Sequence, residues 1–253
     1  MRFDKPVGIM LLWLPTAWAL WIANHGRPVT SLLVYFFLGT VVMRAAGCVL
    51  NDIADRNIDK HVQRTMNRPL TCGQITLFEA FAVLALLLFA ALLIVIKLPP
   101  SCLYYAVAAL FITALYPFCK RFLSAPQLVL GMAFSMAIPM AYSASQVAID
   151  SGMFVLMLLN IAWIVSYDTM YAMVDRADDL KIGVRSTAVL FAGFDRLIIM
   201  LLQVLFHGLW LYFAIVMQFT PVFYVFWGLG ATVLIYQQQL VNTRAEKACF
   251  KAF

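Results

Sequence analysis

Apolar residues run along this chain in long blocks separated by short polar punctuation, without the strict alternation of a half-buried strand or a membrane barrel. Eight blocks approach the length a bilayer-spanning helix needs, about 20 residues. They are Pro6–Asn24, Val29–Leu50, Leu77–Ile96, Ser101–Phe118, Gln127–Ile149, Met153–Met173, Leu197–Met217 and Val222–Leu240. The pattern predicts an all-α, polytopic transmembrane helix bundle, with eight spans read from the sequence. The first block follows Arg2 and Lys5 as a secretory leader would, but it has no A-x-A cleavage site and seven more blocks follow. It is therefore read as part of the mature protein.

Composition agrees and removes other classes. Of the 253 residues, 64% are hydrophobic and 12% charged, about half the roughly 25% charged fraction of a soluble domain. The mean hydropathy of +0.90 excludes a disordered chain, which low hydrophobicity and high charge keep unfolded. Membrane lipid is the expected solvent. The five cysteines form no CxxC pair and lie mostly in or beside apolar runs, so they read as small hydrophobes with no disulfide framework or zinc site. Three scattered histidines make a histidine metal site improbable on spacing alone.

A net charge of +6 would suggest nucleic acid in a soluble protein, but here the placement of charge explains it. With the N-terminus in the cytoplasm, fifteen Lys and Arg fall on the cytoplasmic side, two (Arg27 and Lys97) on the other, and Arg44 within a span. The positive-inside rule then sets the orientation, and no nucleic acid partner is expected.

Acidic residues contribute little to orientation, yet most are clustered. One run, Asn51-Asp52-Ile53-Ala54-Asp55-Arg56-Asn57-Ile58-Asp59, follows the second block; the other, Asp168 to Asp179, ends the sixth. Residues i, i+4 and i+8 share a helix face. Asn51, Asp55 and Asp59 are thus predicted on one face, as are Asp168, Asp175 and Asp179, with Asp168 two turns deeper in the membrane than Asp175. Like charges stacked this way repel, and a compensating cation is the natural remedy. Oxygen ligands suit Mg²⁺, which usually binds through one or two carboxylates and substrate phosphates. Two facing carboxylate helices with phosphate between them would make a diphosphate site. Asp52 and Asp178 lie off the shared faces and read as loop charges solvating neighbouring bases.

Bases lie where an anion would need them. Arg64 and Arg68 follow the first acidic run, and Lys120-Arg121 closes the fourth block. Guanidinium groups grip phosphate or carboxylate in bidentate fashion, whereas lysine acts as a point charge. Arg44 lies two turns before Asn51, and a cation inside a span marks a functional site by default. Tyr116, Tyr167 and Tyr171, near cytoplasmic ends of spans, offer π faces to a carbocation or pack in the core.

These runs, with Met43-Arg44-Ala45-Ala46-Gly47-Cys48, Arg64-Thr65-Met66-Asn67-Arg68-Pro69-Leu70, Tyr116-Pro117-Phe118-Cys119-Lys120-Arg121 and Tyr167-Asp168-Thr169-Met170-Tyr171-Ala172, resemble the UbiA family of intramembrane prenyltransferases. Within it they are most similar to the branch that prenylates 4-hydroxybenzoate in ubiquinone biosynthesis. The resemblance runs from Arg2 to Phe253. It implies a helical bundle with a central cavity, Mg²⁺ as cofactor, and transfer from polyprenyl diphosphate to the ring carbon ortho to the hydroxyl of 4-hydroxybenzoate. Asn51, Asp55 and Asp59 fall on the family's first aspartate-rich motif, and Asp175 and Asp179 on its second. The resemblance makes all five metal ligands and the four aspartates catalytic. It places Arg44, Arg64, Arg68, Lys120, Arg121, Tyr116, Asp168 and Tyr171 around the substrates, with Arg121 on the acceptor's carboxylate. Residues 1–253 then form a single prenyltransferase domain in the bacterial inner membrane, active on the cytoplasmic side. The family usually has a longer N-terminus and a ninth span, which this chain lacks. Two alternatives stay open: a prenyltransferase for another aromatic acceptor, and a transporter lined by intramembrane Asp and Arg. Clustering of the acids at one membrane face favours the enzyme.

Overall fold

Polar punctuation becomes helix caps, and one cap recurs. The structure, a computed structural model, describes residues 6–253; Arg2 and Lys5, counted above for orientation, lie outside the described residues. In chain order the helices are α1 (Val7–Ala23), α2 (Thr30–Ala54), α3 (Arg56–Asp59), α4 (Leu77–Val95), α5 (Ser101–Cys119), α6 (Pro126–Ser135), α7 (Ala137–Ala144), α8 (Ser151–Ile182), α9 (Thr187–Phe191), α10 (Asp195–Val216), α11 (Pro221–Leu240) and α12 (Glu246–Ala252). No strand occurs among the described residues. At the ends of α1, α7, α8 and α10 the chain turns through a left-handed residue: His25 (φ 49°), Gln146 (φ 57°), Gly183 (φ 74°) and Gln218 (φ 52°). The next N–H then reaches back five residues, as in Gly26 to the Trp21 carbonyl at 2.8 Å and Val184 to the Asp179 carbonyl at 3.0 Å. This cap satisfies carbonyls that the last helical turn leaves without partners. At the start of α4, Thr76 Oγ1 accepts from the Glu79 N–H at 3.2 Å and the Glu79 carboxylate accepts from the Thr76 N–H at 2.7 Å, a reciprocal capping box.

Two compact units result. The first runs up to Phe118 and includes Met132–Phe154; in it α2 packs against α1 and α4, and α1 against α7. Asn24 Nδ2 donates to Ser145 Oγ at 2.8 Å, and Ser143 Oγ to Ser101 Oγ at 2.6 Å. The second comprises Cys119–Gly131 and Val155–Phe253; in it α11 packs against α10 and α12.

Six helical segments among the described residues are long and apolar enough to cross a membrane: Thr30–Ala54, Leu77–Val95, Ser101–Cys119, Pro126–Ala144, Ser151–Ile182 and Thr187–Val216. Val7–Ala23 is apolar but shorter, with 17 residues, and α11 ends in the polar run Gln237-Gln238-Gln239. A helix nevertheless lies in each of the eight predicted blocks. The chain is a multi-pass, all-helical membrane protein. Large apolar side chains face outward, among them Phe78 at 82% and Phe111 at 69% exposure, as expected of helices that cross a membrane. Burial ranks the helices: 61% of the apolar window of α8 is buried, against 11% of that of α4. α8 is an interior helix, which suits a segment carrying carboxylates.

The structure departs from the sequence expectation in three places. The block Gln127–Ile149 is two helices, broken at Met136, because Pro139 has no N–H for the Ser135 carbonyl and its ring crowds that oxygen. The sixth block continues helically beyond Met173 to Ile182, so the whole second acidic run lies on one helix. The first run is not one helix: α2 stops at Ala54, Asp55 adopts φ −91° and ψ 4°, and the single turn α3 follows. Asn51, Asp55 and Asp59 therefore do not lie along one regular helical face, although Asp55 N–H still bonds the Asn51 carbonyl and Asp59 N–H the Asp55 carbonyl, each at 2.8 Å.

Candidate active site

In the first unit the break at Asp55 turns the acidic run inward. Asp55 and Asp59 are 3% and 5% exposed, and Asn51 and Asp52 are half-buried. The following segment doubles back: Thr65 is buried and its hydroxyl donates to the Asp59 carbonyl at 3.0 Å. That brings Arg68 onto the acids, where Nη1 donates to Asp52 Oδ1 at 3.0 Å and Asp59 Oδ2 at 2.5 Å. Asp52 is thus an ion-pair partner of Arg68, an acid set against a neighbouring base as its sequence position suggested, with the pair lying inside the cluster. Arg64, on the same segment, is exposed.

Burial raises the Asp59 carboxyl above its ordinary range, and Asp55 and Asp52 add to that, while Arg68 and the Thr65 hydroxyl act against it. Asp59 thus remains short of compensating positive charge even with Arg68 beside it. Hard oxygen donors in that condition fit Mg²⁺. Among the described residues, no three His, Cys, Asp or Glu side chains are gathered as a set that could hold a metal ion.

Arg44 stands on α2 two turns before Asn51. Its guanidinium lies against Gly8 of α1 so closely that a Cβ there would sit 2.4 Å from Nε and 2.5 Å from Nη2. Any larger residue there would push the guanidinium aside, a contact the sequence analysis missed because Gly8 lies inside an apolar block. Arg44 also lines a cavity of about 290 Å³ within the first unit, whose walls include Thr16, Tyr35, Thr40, Met43 and Thr113. Tyr116, farther along α5, is half-buried.

In the second unit α8 carries Asp168, Asp175 and Asp179 on one uninterrupted helix; the first two are half-buried and Asp179 is buried. The spacing read from sequence therefore holds here. Thr169 Oγ1 lies 2.7 Å from Thr187 Oγ1, and the Thr187 N–H donates to Gln127 Oε1 at 3.0 Å. The loop with Lys120 and Arg121 is drawn to the end of α8: the Arg185 N–H donates to the Lys120 carbonyl at 3.0 Å and its guanidinium to the Phe122 carbonyl. Lys120 is half-buried and Arg121 exposed. Tyr171 stacks obliquely on Phe253, with ring centroids 4.4 Å apart, while Tyr167 meets Trp163 edge-on at 5.2 Å and Phe253 obliquely at 5.8 Å. These rings belong to an aromatic packing cluster, the second of the two roles considered for them.

Residues 12–253 match the UbiA prenyltransferase family. A 4-hydroxybenzoate octaprenyltransferase of Legionella pneumophila is 59% identical over 253 residues, covering 100% of this chain and 90% of its own length. One from Pseudoalteromonas translucida is 48% identical, covering 100% of this chain and 87% of its own. Among solved structures, an apo UbiA homologue from Aeropyrum pernix K1 superposes with a TM-score of 0.86 at 22% identity, covering 100% of this chain and 94% of that one. A UbiA homologue from Archaeoglobus fulgidus bound to DMAPP and Mg²⁺ superposes with a TM-score of 0.74 at 18% identity, covering 96% and 86%. The two structures support the fold.

Proposed function

The chain belongs to the UbiA prenyltransferase family, and on that premise we propose that it transfers a polyprenyl group from polyprenyl diphosphate to the ring carbon ortho to the hydroxyl of 4-hydroxybenzoate, in ubiquinone biosynthesis. The observation that carries this reading is the buried Asp55 and Asp59 pair with Arg68 drawn onto it, in a chain 59% identical to a 4-hydroxybenzoate octaprenyltransferase. Family membership disfavours the transporter alternative. Residues 1–253 act as one prenyltransferase domain in this reading, in a bacterial inner membrane with both acidic motifs at the cytoplasmic side. The fifteen-to-two distribution of bases supports that orientation.

Asn51, Asp55, Asp59, Asp175 and Asp179 are the proposed Mg²⁺ ligands, in keeping with the Mg²⁺ and prenyl diphosphate held by the Archaeoglobus homologue. When bound, Mg²⁺ supplies charge neutralisation to a departing diphosphate. Arg64, Arg68 and Lys120 hold the diphosphate oxygens as the allylic C–O bond breaks and negative charge collects there. The ring carbon attacks the allylic cation, forming the C–C bond, and its proton passes to a carboxylate or to the diphosphate. A site set among apolar helices excludes the water that would otherwise capture the cation. Tyr116 and Asp168 are further proposed substrate contacts, whereas Tyr171 packs against Phe253.

For the acceptor's carboxylate the sequence favours Arg121, but a specific observation supports Arg44. Arg44 lines the apolar cavity of about 290 Å³, whereas Arg121 is exposed and is not part of its wall. That volume lies just below the roughly 300–1,000 Å³ of common ligand pockets. It suits one aromatic acid and leaves a long prenyl tail to other apolar surface or lipid.

The test is direct. Membranes carrying the protein are incubated with Mg²⁺, polyprenyl diphosphate and a panel of aromatic acids including 4-hydroxybenzoate and homogentisate, and products are identified by mass. Prenylated 4-hydroxybenzoate that disappears in chelator is the expected result. Product on another acceptor alone, or none, overturns the assignment.

A further inference from the structure

The last turns of α8 carry Asp175 and Asp179, and beside them lies a cluster of ionic contacts that the proposed chemistry does not use. Asp195, the first residue of α10, is 0% exposed. Its carboxylate accepts from Arg176 Nη1 at 2.9 Å, from Arg244 Nε at 3.1 and 3.0 Å, from Arg244 Nη2 at 2.9 Å, and from the Arg196 N–H at 2.6 Å. Arg176 Nη2 donates further to the Ala188 carbonyl and, at 2.7 Å, to that of Ala192. Arg244 Nη2 donates to the Gly193 carbonyl at 2.8 Å. Three stretches of chain, the end of α8, the turn before α10 and the turn after α11, are thereby joined through one carboxylate.

Stability alone does not account for this arrangement. Burying the Asp195 carboxylate costs desolvation, although its partners Arg176 and Arg244 keep 22% and 40% of their side chains exposed, and an apolar residue of the same volume often serves as well or better. Two residues in the cluster also hold left-handed backbone, Ala192 at φ 46° and Arg244 at φ 52°. Such conformations persist where surrounding bonds over-determine them, and they concentrate at functional sites.

What the cluster does fix is Arg176, the residue after Asp175 and three before Asp179. At 3.6 residues per turn, Asp175 and Asp179 point about 40° apart around the helix, and both lie within about 100° of Arg176. Holding the Arg176 guanidinium at three acceptor atoms therefore sets the rotation of α8 and the direction of both carboxylates without touching their ligand.

We propose that Asp195, with Arg176 and Arg244, is a positioning cluster that holds the end of α8 in the rotation at which Asp175 and Asp179 receive the divalent cation and the prenyl diphosphate. This rests on the reading of Asp175 and Asp179 as metal ligands. The cluster members are positioning residues; none contacts the reacting atoms.

The experiment uses the full chain in nanodiscs as wild type and as Asp195→Asn, Arg176→Lys, Arg244→Lys and Asp175→Asn. Mn²⁺ binding by electron paramagnetic resonance, KM for each substrate, kcat, thermal unfolding, and hydrogen exchange over residues 172–182 are measured. In Asp195→Asn and Arg244→Lys the expected result is Mn²⁺ affinity and donor KM worse by tenfold or more, acceptor KM within twofold, and faster exchange confined to residues 172–182. A purely structural cluster lowers the unfolding temperature and leaves Mn²⁺ affinity and donor KM at wild-type values, which overturns the proposal. If Asp195→Asn, Arg176→Lys and Arg244→Lys all fail to fold, the cluster is a stability device and the proposal also falls. Asp175→Asn separates the two claims: unchanged Mn²⁺ binding there overturns the metal-site reading, whereas loss there with full retention in Arg244→Lys overturns the cluster alone.

Discussion

The two acidic motifs carry carboxylates at related spacings but are built in opposite ways. The first lies where a helix breaks: α2 ends at Ala54, Asp55 makes the bend, and Arg68 compensates Asp52 and Asp59 from 16 and 9 residues downstream. The second lies on a helix of 32 residues that continues unbroken past Asp179. Its flanking Arg176 is held by partners 12 to 19 residues away, and Asp195 is held in turn by Arg244, 49 residues farther on. A break lets a short segment fold back and supply its own counter-charge. A straight helix keeps its carboxylates in register but obtains orientation only from distant chain. The first motif is therefore an almost local device, and the second depends on tertiary structure.

If the motifs share the metal despite that difference, removing one carboxylate from either should have the same large effect. Asp55→Ala and Asp175→Ala are each expected to abolish prenyl transfer, a loss of about a thousandfold or more for several kcal/mol of charge stabilisation. Circular dichroism should show helicity retained, and chelator should reproduce both losses in the wild type. Full activity in either variant would remove that motif from the site.

The local device is tested at Arg68. Its bonds to two carboxylates are charge-assisted, worth roughly 1.5–3 kcal/mol each, so Arg68→Gln should weaken donor kcat/KM by about tenfold to a hundredfold. Hydrogen exchange at the end of α8 should remain unchanged, because that compensation is confined to residues 52–68. A change there would dissolve the distinction between local and distant support.

Arg44 and Arg121 sharpen the comparison on the acceptor side. Arg44→Lys should lower acceptor kcat/KM by about tenfold, the cost of one charge-assisted contact, with donor KM steady. Gly8→Ala should act in the same direction by forcing the guanidinium aside, since misplacement of about 1 Å can cost up to a hundredfold. Should Arg121→Lys show this signature while Arg44→Lys and Gly8→Ala are silent, the carboxylate belongs to Arg121.

The smallest effect belongs to the cap that ends α8. Gly183→Ala places a Cβ at φ 74°, costing about 1–2 kcal/mol. Unfolding temperature should fall by a few degrees in a protein of this size. Gln218→Gly, relieving the equivalent position after α10, should raise it slightly. Opposite signs in a detergent melt would show that these turns are not governed by left-handed strain.

Some of the proposed site was legible in residues and some was not. Asp55, Asp59, Asp175 and Asp179 announce themselves by spacing, and Arg64, Arg68, Lys120 and Arg121 by proximity to the acids or to a span's end. Asp52 was read as an acid set against a neighbouring base, but that the base is Arg68 is identified only once the turn at Thr65 is known. Asp195 gave no signal, since an acid beside Arg196 at the mouth of an apolar block looks like an ordinary interfacial charge. Gly8 was silent for a similar reason: a glycine inside an apolar block says nothing of the guanidinium lying against it.

The amino-acid sequence alone determined the all-helical membrane class, the position of each apolar helix and the carboxylate ladder of α8. These depend on hydropathy, on backbone hydrogen bonds within a few residues and on the 3.6-residue turn, all local properties of the chain. Only the tertiary structure decided that Pro139 splits one block, that Asp55 breaks the first ladder, that Gly8 makes room for Arg44, and that Asp195 gathers Arg176 and Arg244. Except for the two breaks, those outcomes join residues from 19 to 49 positions apart or on different helices. Their pairing is chosen by which packed arrangement satisfies buried charge at acceptable strain, a choice no short stretch of sequence contains.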